Sequence, residues 1–388
     1  MPRFEPFRAL RYAAHDLTPL VAPPYDVLSD ADVDELEARS PHNITHVDVP
    51  RGGADRYEQA AATLQEWVRA GVMVTDGPPS FTVYRLRFTD AAGRAREMTG
   101  VLGALEVVDA GSGGVLPHER TTPKDATDRL ELTRATRANL SPVWGLSLAS
   151  GLTGLLAEPD EQVGRVVEDG VEHVVERVTN PERIAAIRTA LGRADVLVAD
   201  GHHRYGVART YRDEVRATEG RGTAAELTLA FVQELVADQL SVEAIHRVYA
   251  EHPSALDVYF TSTPTGRPTP ETLAQMQQEG FLVLHTGTET FRLDPRPGAF
   301  TGQRALDGLW LESALPDAEV RYQHGLDEAL AAIDSGGAQA VVLIRPVSVA
   351  EIERTAREGV LMPPKSTFFT PKLKTGFVVR ALGEDRGP

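Results

Sequence analysis

The chain has 388 residues, a formal net charge of −16, 42% apolar residues and 25% charged residues. This composition is ordinary for a globular protein, and the length suffices for one large core or several smaller ones. An acidic balance repels nucleic acid, so it predicts no nucleic-acid partner and makes any basic site local. With no cysteine present, a disulfide framework, a zinc–cysteine site and a cysteine nucleophile are excluded. The sequence shows no long apolar run and no charged-then-apolar leader. These absences predict no membrane partner and a cytoplasmic location.

Near the start, Val21-Ala22-Pro23-Pro24-Tyr25-Asp26-Val27 has two prolines that fix an extended or turning backbone. Ser29 or Asp30 caps a short helix through Arg39. A stronger helix runs from Asp55 to Ala70, with Tyr57, Ala60, Ala61, Leu64, Trp67 and Val68 at helical spacing and Gly71 to end it. Phe81 to Phe88 alternates as a strand does, Asp90-Ala91-Ala92-Gly93 supplies a turn, and Met98 to Val108 gives a returning strand. A glycine loop at 111–114 leads into a polar, charge-rich block from Leu116 to Leu132, and Val143 to Leu148 reads as another strand.

Glu172 to Val178 is predicted as a strand, followed by a helix that Asn180 caps and Pro181 opens. Asp195 to Ala199 is a short apolar run of the kind a strand buried on both faces shows. Asp200-Gly201-His202-His203-Arg204 follows it, then a helix from about Tyr205 to Val215. Leu227 to Val236 suits strand and helix equally. The last third alternates helices (about 270–279, 326–334 and 348–358) with short strands such as Gln339 to Ile344 and Gly376 to Arg380. The pattern as a whole predicts a mixed α/β (α+β) fold with intertwined regions, divided at about 1–150, 151–250 and 251–388.

Asp200 to Arg204 carries the strongest chemical signal. A strand that ends in Asp-Gly and opens a helix presents backbone N–H groups and the positive end of the helix dipole to an anion. Gly201 allows a sharp turn and a close approach by phosphate, and Arg204 offers a bidentate pair to phosphate oxygens. His202 and His203 can donate to phosphate, bind a metal or move a proton. Asp200 is the candidate ligand for a magnesium ion, and equally a base or an orienting group. The bland alternative is a capped helix start with solvated histidines.

The second constellation is Pro117-His118-Glu119-Arg120-Thr121-Thr122-Pro123-Lys124, with Arg129 close behind. Glu119 could serve as the general base for a hydroxyl substrate. His118, Arg120, Lys124 and Arg129 could bind phosphoryl oxygens. A solvated helix entry is the competing reading. A third candidate, Met362-Pro363-Pro364-Lys365-Ser366-Thr367, continues to Pro371-Lys372 and offers Lys365 as an anion contact, although it lacks the glycines of a Walker loop. Pro23-Pro24-Tyr25-Asp26 reads on physics alone as a rigid turn around a buried tyrosine.

Taken in order, Ala-Pro-Pro-Tyr-Asp-Val near residue 25, Pro-His-Glu-Arg-Thr near 119, Asn139-Leu140-Ser141-Pro142, Ala199-Asp200-Gly201-His202-His203-Arg204-Tyr205 and Pro364-Lys365-Ser366-Thr367 resemble a widespread bacterial family. That family is known as a domain of unknown function, number one thousand and fifteen. The Asp-Gly-His-His-Arg turn also resembles the phosphate-binding motif of the ParB/sulfiredoxin superfamily, which includes free serine kinases. That resemblance implies a ParB/sulfiredoxin-like core at 151–250 with additional mixed sub-domains. It further implies phosphate contacts from Gly201, His202, His203 and Arg204, with Asp200 at the catalytic centre. His202 stands where sulfiredoxin has its cysteine, so sulfinic-acid chemistry is excluded. The family's usual Pro-Thr-His-Arg segment reads Ala244-Ile245-His246-Arg247 here.

These readings predict a phosphotransferase or phosphohydrolase acting on a nucleotide or a phosphorylated small metabolite. Its cofactors would be magnesium and ATP or ADP, and serine or phosphoserine is the first substrate to test. The alternatives are a nucleotide-gated binding protein without turnover and a metal-dependent hydrolase built on His118, His202 and His203. Homo-oligomerisation is left open.

Overall fold

The structure is a computed structural model that describes residues 1–90, 93–119 and 126–383. The chain divides into two compact units, Met1–Leu240 with the segment from Pro371 onward, and Ser241–Thr370.

Among the described residues of the first unit, one mixed sheet has the strand order Val115–Pro117, Val196–Asp200, Val143–Ser147, Leu227–Glu234, Ala95–Glu106, Phe81–Thr89, Val171–Val178, Glu161–Glu168. Phe4–Glu5 pairs with Ala95–Glu106 as well. Val196–Asp200 is parallel to Val115–Pro117 on one side and antiparallel to Val143–Ser147 on the other. Both of its faces are buried, which is why Val196 to Ala199 is uniformly apolar instead of alternating. The ambiguous segment becomes the strand Leu227–Glu234 because it is bonded on both sides, by Val143–Ser147 and by Ala95–Glu106. Such pairing decides between two local preferences of similar strength.

The helices follow their caps. Ser29 closes a capping box on Asp30–Arg39, and the Asn180 side chain accepts from the N–H groups of Glu182 and Arg183 at the start of Pro181–Leu191. Arg56–Arg69 buries Ala60, Ala61, Leu64 and Trp67. Val68, assigned above to the same face, is instead 42% exposed. One apolar cluster joins Phe81, Val83, Val101, Val143, Val196, Val198 and Val232 of the sheet to Ile187 and Leu191 of a covering helix and to Tyr205.

Two expectations change. The helix after the Asp-Gly turn begins at His202 and runs to Glu219, so both histidines lie in its first turn. The strand expected over Gly376 to Arg380 is broken into isolated bridges, Ala22 with Thr375 and Leu10 with Val379, and a short pair between Arg380–Ala381 and Ala138–Asn139. Gly376 sits at φ +103°, and a Cβ there would crowd Ile44 and Val21, so the backbone kinks where a strand would run straight.

The second unit contains an antiparallel sheet ordered Phe260–Pro264, Thr290–Pro295, Leu282–His285, Ala340–Leu343, Ile245–Tyr249, Val320–His324. Leu311 and Ala314 of the helix Asp307–Ala314 pack into one of its apolar clusters. Met276, Ala329, Leu330 and Ile333 from Pro270–Glu279 and Leu326–Asp334 pack into another. Among the described residues, no helix is long and apolar enough to cross a membrane.

Candidate phosphate-binding site

The strand Val196–Asp200 delivers the site. Its register against Val143–Ser147 shifts between Val198 and Asp200, a local irregularity that re-aims the last residue. Gly201 then adopts φ +81° and ψ 31°, the left-handed region. A Cβ at this position would lie 3.0 Å from Arg204 Nε and 3.3 Å from the Val143 Cα. Only glycine therefore lets the chain turn here while Arg204 folds back over it. The helix starts at once, and an α-helix leaves its first N–H groups without intrahelical acceptors. Tyr205 pins this first turn: its hydroxyl donates to the Glu106 carbonyl at 2.9 Å and accepts from Val108 N at 2.8 Å.

Asp200 is bound on three sides. Its Oδ2 lies 3.1 Å from Lys372 Nζ and 3.5 Å from Arg204 Nη2, and its Oδ1 accepts from Gly201 N at 2.9 Å. Burial alone would raise its pKa. Lys372, Arg204 and the backbone N–H outweigh burial and hold the carboxyl well below the usual carboxylate range. A carboxylate so stabilised is a weak base, so its geometry suits orientation of cations. Arg204 also donates to the Pro142 carbonyl and has Asp26 Oδ2 at 3.7 Å. Burial works against its charge, but Asp26, Asp200, Tyr25 and Asp48 together raise its pKa.

Lys372 and Asp26 close the third candidate segment and the Pro-Pro-Tyr-Asp turn, and residue type alone singles out neither. The Ala22–Thr375 bridge holds the chain on either side of them together, with hydrogen bonds of 3.1 and 2.7 Å. The Pro23-Pro24-Tyr25-Asp26 turn is thus more than a rigid bend. Tyr25 is only partly buried, and the Arg129 guanidinium lies over its ring at 4.2 Å. Arg129 is itself nearly buried, donating to the Asp48 carbonyl at 2.5 Å and to Asp128 Oδ2 at 2.6 and 2.9 Å. It is therefore committed to protein partners.

The other predicted residues fall as follows. Because Val115–Pro117 pairs with Val196–Asp200, His118 reaches the turn, and its ring lies 4.8 Å from that of His202. His118 is fully buried, and its Nδ1–H donates to the Val198 carbonyl at 2.5 Å. Burial pushes its pKa down to about 4, against the opposing pull of Val198 and Asp200. It is a neutral core histidine at neutral pH. Glu119 follows, its Oε2 3.9 Å from His118 Nε2. His203 is partly buried in the helix's first turn. Arg120 and Lys124 lie outside the described residues. Lys365 belongs to the second unit, where its side chain is exposed and its carbonyl accepts from Arg247 Nη1 at 3.1 Å. His246 there accepts from Ile344 N at 3.2 Å.

Among the described residues, no group of three or more His, Asp or Glu side chains is arranged to hold a metal ion. His118, His202 and His203 do not form such a group among the described residues, so the alternative of a three-histidine metal hydrolase gains no support from the geometry. Asp200, the candidate magnesium ligand, has Lys372 and Arg204 beside its Oδ2 and belongs to no such group among the described residues.

A family model described as "Protein of unknown function (DUF1015)" matches residues 4–309. The chain belongs to this family. Among solved structures it is similar to a conserved hypothetical protein from Pyrococcus furiosus, at 14% identity over 69% of this chain and 92% of that one, with a TM-score of 0.39. It is similar to a free serine kinase in complex with AMP, at 13% identity, 68% and 89% coverage and a TM-score of 0.37. It is also similar to C-terminally truncated SbnI from Staphylococcus aureus, at 14% identity, 74% and 90% coverage and a TM-score of 0.41. No curated protein matches the chain.

Proposed function

We propose that the junction from Asp200 to Arg204 binds the phosphates of a nucleotide or a phosphorylated small metabolite, and that a phosphoryl group is transferred or hydrolysed there. The observation that carries this reading is the glycine-enforced turn, with Arg204 and Lys372 gathered on Asp200 at the start of an 18-residue helix. Phosphoryl transfer needs positioning and charge neutralisation more than covalent chemistry. Arg204 and Lys372 supply fixed positive charge, and the helix start supplies backbone donors. Asp200 keeps both cations in place before the ligand arrives, which removes part of the reorganisation cost. His202 and His203 are the further donors to phosphate, with Arg120 and Lys124 next along the chain from Glu119.

Glu119 is the proposed base for the acceptor hydroxyl, because its neighbour His118 touches the His202 ring. Any magnesium enters as the counter-ion of the nucleotide. The likeness of the Asp-Gly-His-His-Arg turn to that of free serine kinases makes serine with ATP or ADP, and phosphoserine, the first substrates to test. Purified protein with magnesium should move phosphate between nucleotide and serine or release it from phosphoserine. Glu119→Gln should abolish turnover and leave nucleotide affinity unchanged. Absence of turnover across nucleotides and small phosphate esters would sink the enzymatic reading.

One observation favours a second reading. His118 is sealed and Asp200 is a weak base, so two nearby ionisable groups are poorly placed for proton transfer. The same pocket without a working Glu119 would be a nucleotide-gated switch. It would show ligand-induced stabilisation with no phosphate release.

A further inference from the structure

The first unit contains a cavity of about 50 Å3 that Arg204 shares with the phosphate site, lined also by Asp48, Arg129, Asn139, Ser141 and Thr228. That is room for about three to five water-sized groups. It lies between the helix Ala126–Thr136, the long helix His202–Glu219 and the strand Leu227–Glu234, all of which contribute to its wall. Asp48 and Thr228 are each 3% exposed. Among the described residues, the Asp48 carboxylate has a single contact, at 3.4 Å from Arg129 Nη1. That is a long bond for a charged pair, and it leaves acceptor capacity on both carboxylate oxygens.

The charges around the cavity select the guest. A cation would be placed beside the Arg129 and Arg204 guanidiniums, and an anion would be placed against Asp48, since Asp128, Asp200 and Asp26 already engage the two guanidiniums. Both arrangements are repulsive at close range in a poorly solvated space. A neutral hydroxyl adds no charge, donates to a carboxylate oxygen and accepts from a threonine or serine hydroxyl. Two adjacent hydroxyls match the two oxygens of one carboxylate. Burial also raises the Asp48 pKa, against the opposing Arg129 and Arg204, and this further disfavours a guest that would require a firmly charged partner.

We propose that this cavity is the subsite for a neutral vicinal diol carried by the phosphate ligand, with Asp48 as the group that recognises it. The proposal rests on the phosphate-site reading above, since Arg204 is the residue common to both. The diol is either the ribose edge of a nucleotide or the hydroxyl end of a small polyol phosphate.

Calorimetric titration of the full chain tests it, with inorganic tripolyphosphate, ATP against 2′,3′-dideoxy-ATP, and glycerol 3-phosphate against propyl phosphate as probes. The diol member of one pair should bind about tenfold more tightly, the value expected for one well-made hydrogen bond. Selectivity in the nucleotide pair assigns the ribose, and selectivity in the other pair assigns a polyol. Asp48→Asn and, independently, Thr228→Val should erase that preference and leave tripolyphosphate affinity unchanged. Equal binding within both pairs, with tripolyphosphate still bound, overturns the diol subsite and spares the phosphate site. Loss of all tripolyphosphate and nucleotide binding in the unmodified protein overturns both.

Discussion

Replacing Gly201 with alanine perturbs the turn on which the site depends. At φ +81° an L-residue is strained by the left-handed backbone, and the new methyl would sit 3.0 Å from Arg204 Nε, 3.1 Å from its Cζ and 3.3 Å from the Val143 Cα. The backbone penalty is about 1–2 kcal/mol. Val143 lies in a strand bonded on both sides and cannot withdraw, so Arg204 must move. Its guanidinium is held by the Pro142 carbonyl and by Asp200 and Asp26, so the displacement adds roughly 1–3 kcal/mol of overpacking. The variant should lose about 2–5 kcal/mol of stability by urea unfolding and most of its tripolyphosphate affinity by calorimetry. Gly206→Ala is the internal control. That glycine lies in the same helix, and a methyl added there would meet nothing within 4 Å. Alanine at 206 should therefore stabilise by about 0.5–1 kcal/mol and leave binding intact. If Gly201→Ala is as stable as the parent and binds tripolyphosphate equally well, the steric reasoning is wrong.

Lys372→Met should lower stability by about 1–3 kcal/mol at neutral pH, because it removes a charge-assisted bond to Asp200. Asp200 has a depressed folded pKa, so this contribution is present above the ordinary carboxylate value of about 4 and fades as pH falls through the folded value. The gap between variant and parent, followed by urea unfolding across pH, should therefore narrow in acid. His118 has the same sense of shift with the opposite charge. Its folded pKa of about 4 lies below the ordinary 6.5, so the unfolded chain takes up the proton first and stability falls as pH drops from 6.5 towards 4. His118→Phe should flatten that part of the stability profile, with His173 and His246 retaining their own share. Arg129→Met should destabilise by about 1–3 kcal/mol in thermal or urea denaturation, since it removes the close bonds to the Asp48 carbonyl and to Asp128.

What the sequence disclosed was what local chemistry specifies. The apolar run before Asp200, the glycine at the turn, and the caps at Ser29 and Asn180 each act within a few residues, and each is legible at that range. The same holds for the mixed α/β class, which follows from alternating helical and strand periods. Residue type does not single out Lys372, because its partner lies 172 residues earlier and the returning segment at Ala22–Thr375 brings them together. Asp48 carries no motif at all, and it matters only because Arg129 is folded against it. Arg129 and His118 suit ligand contacts by residue type. Their hydrogen bonds to Asp48, Asp128 and Val198 are set by packing that composition does not encode. Leu227–Glu234 shows the same limit in the backbone, where neighbours on both sides decide between strand and helix.

The most direct test of the phosphate site is calorimetric titration of ATP and ADP into the unmodified chain and into Arg204→Met, at two salt concentrations. Saturable binding to the parent, lost or weakened at least about tenfold in the variant and reduced by salt, is the predicted result. Equal affinity in parent and variant, or no binding of either nucleotide to the parent, would contradict it.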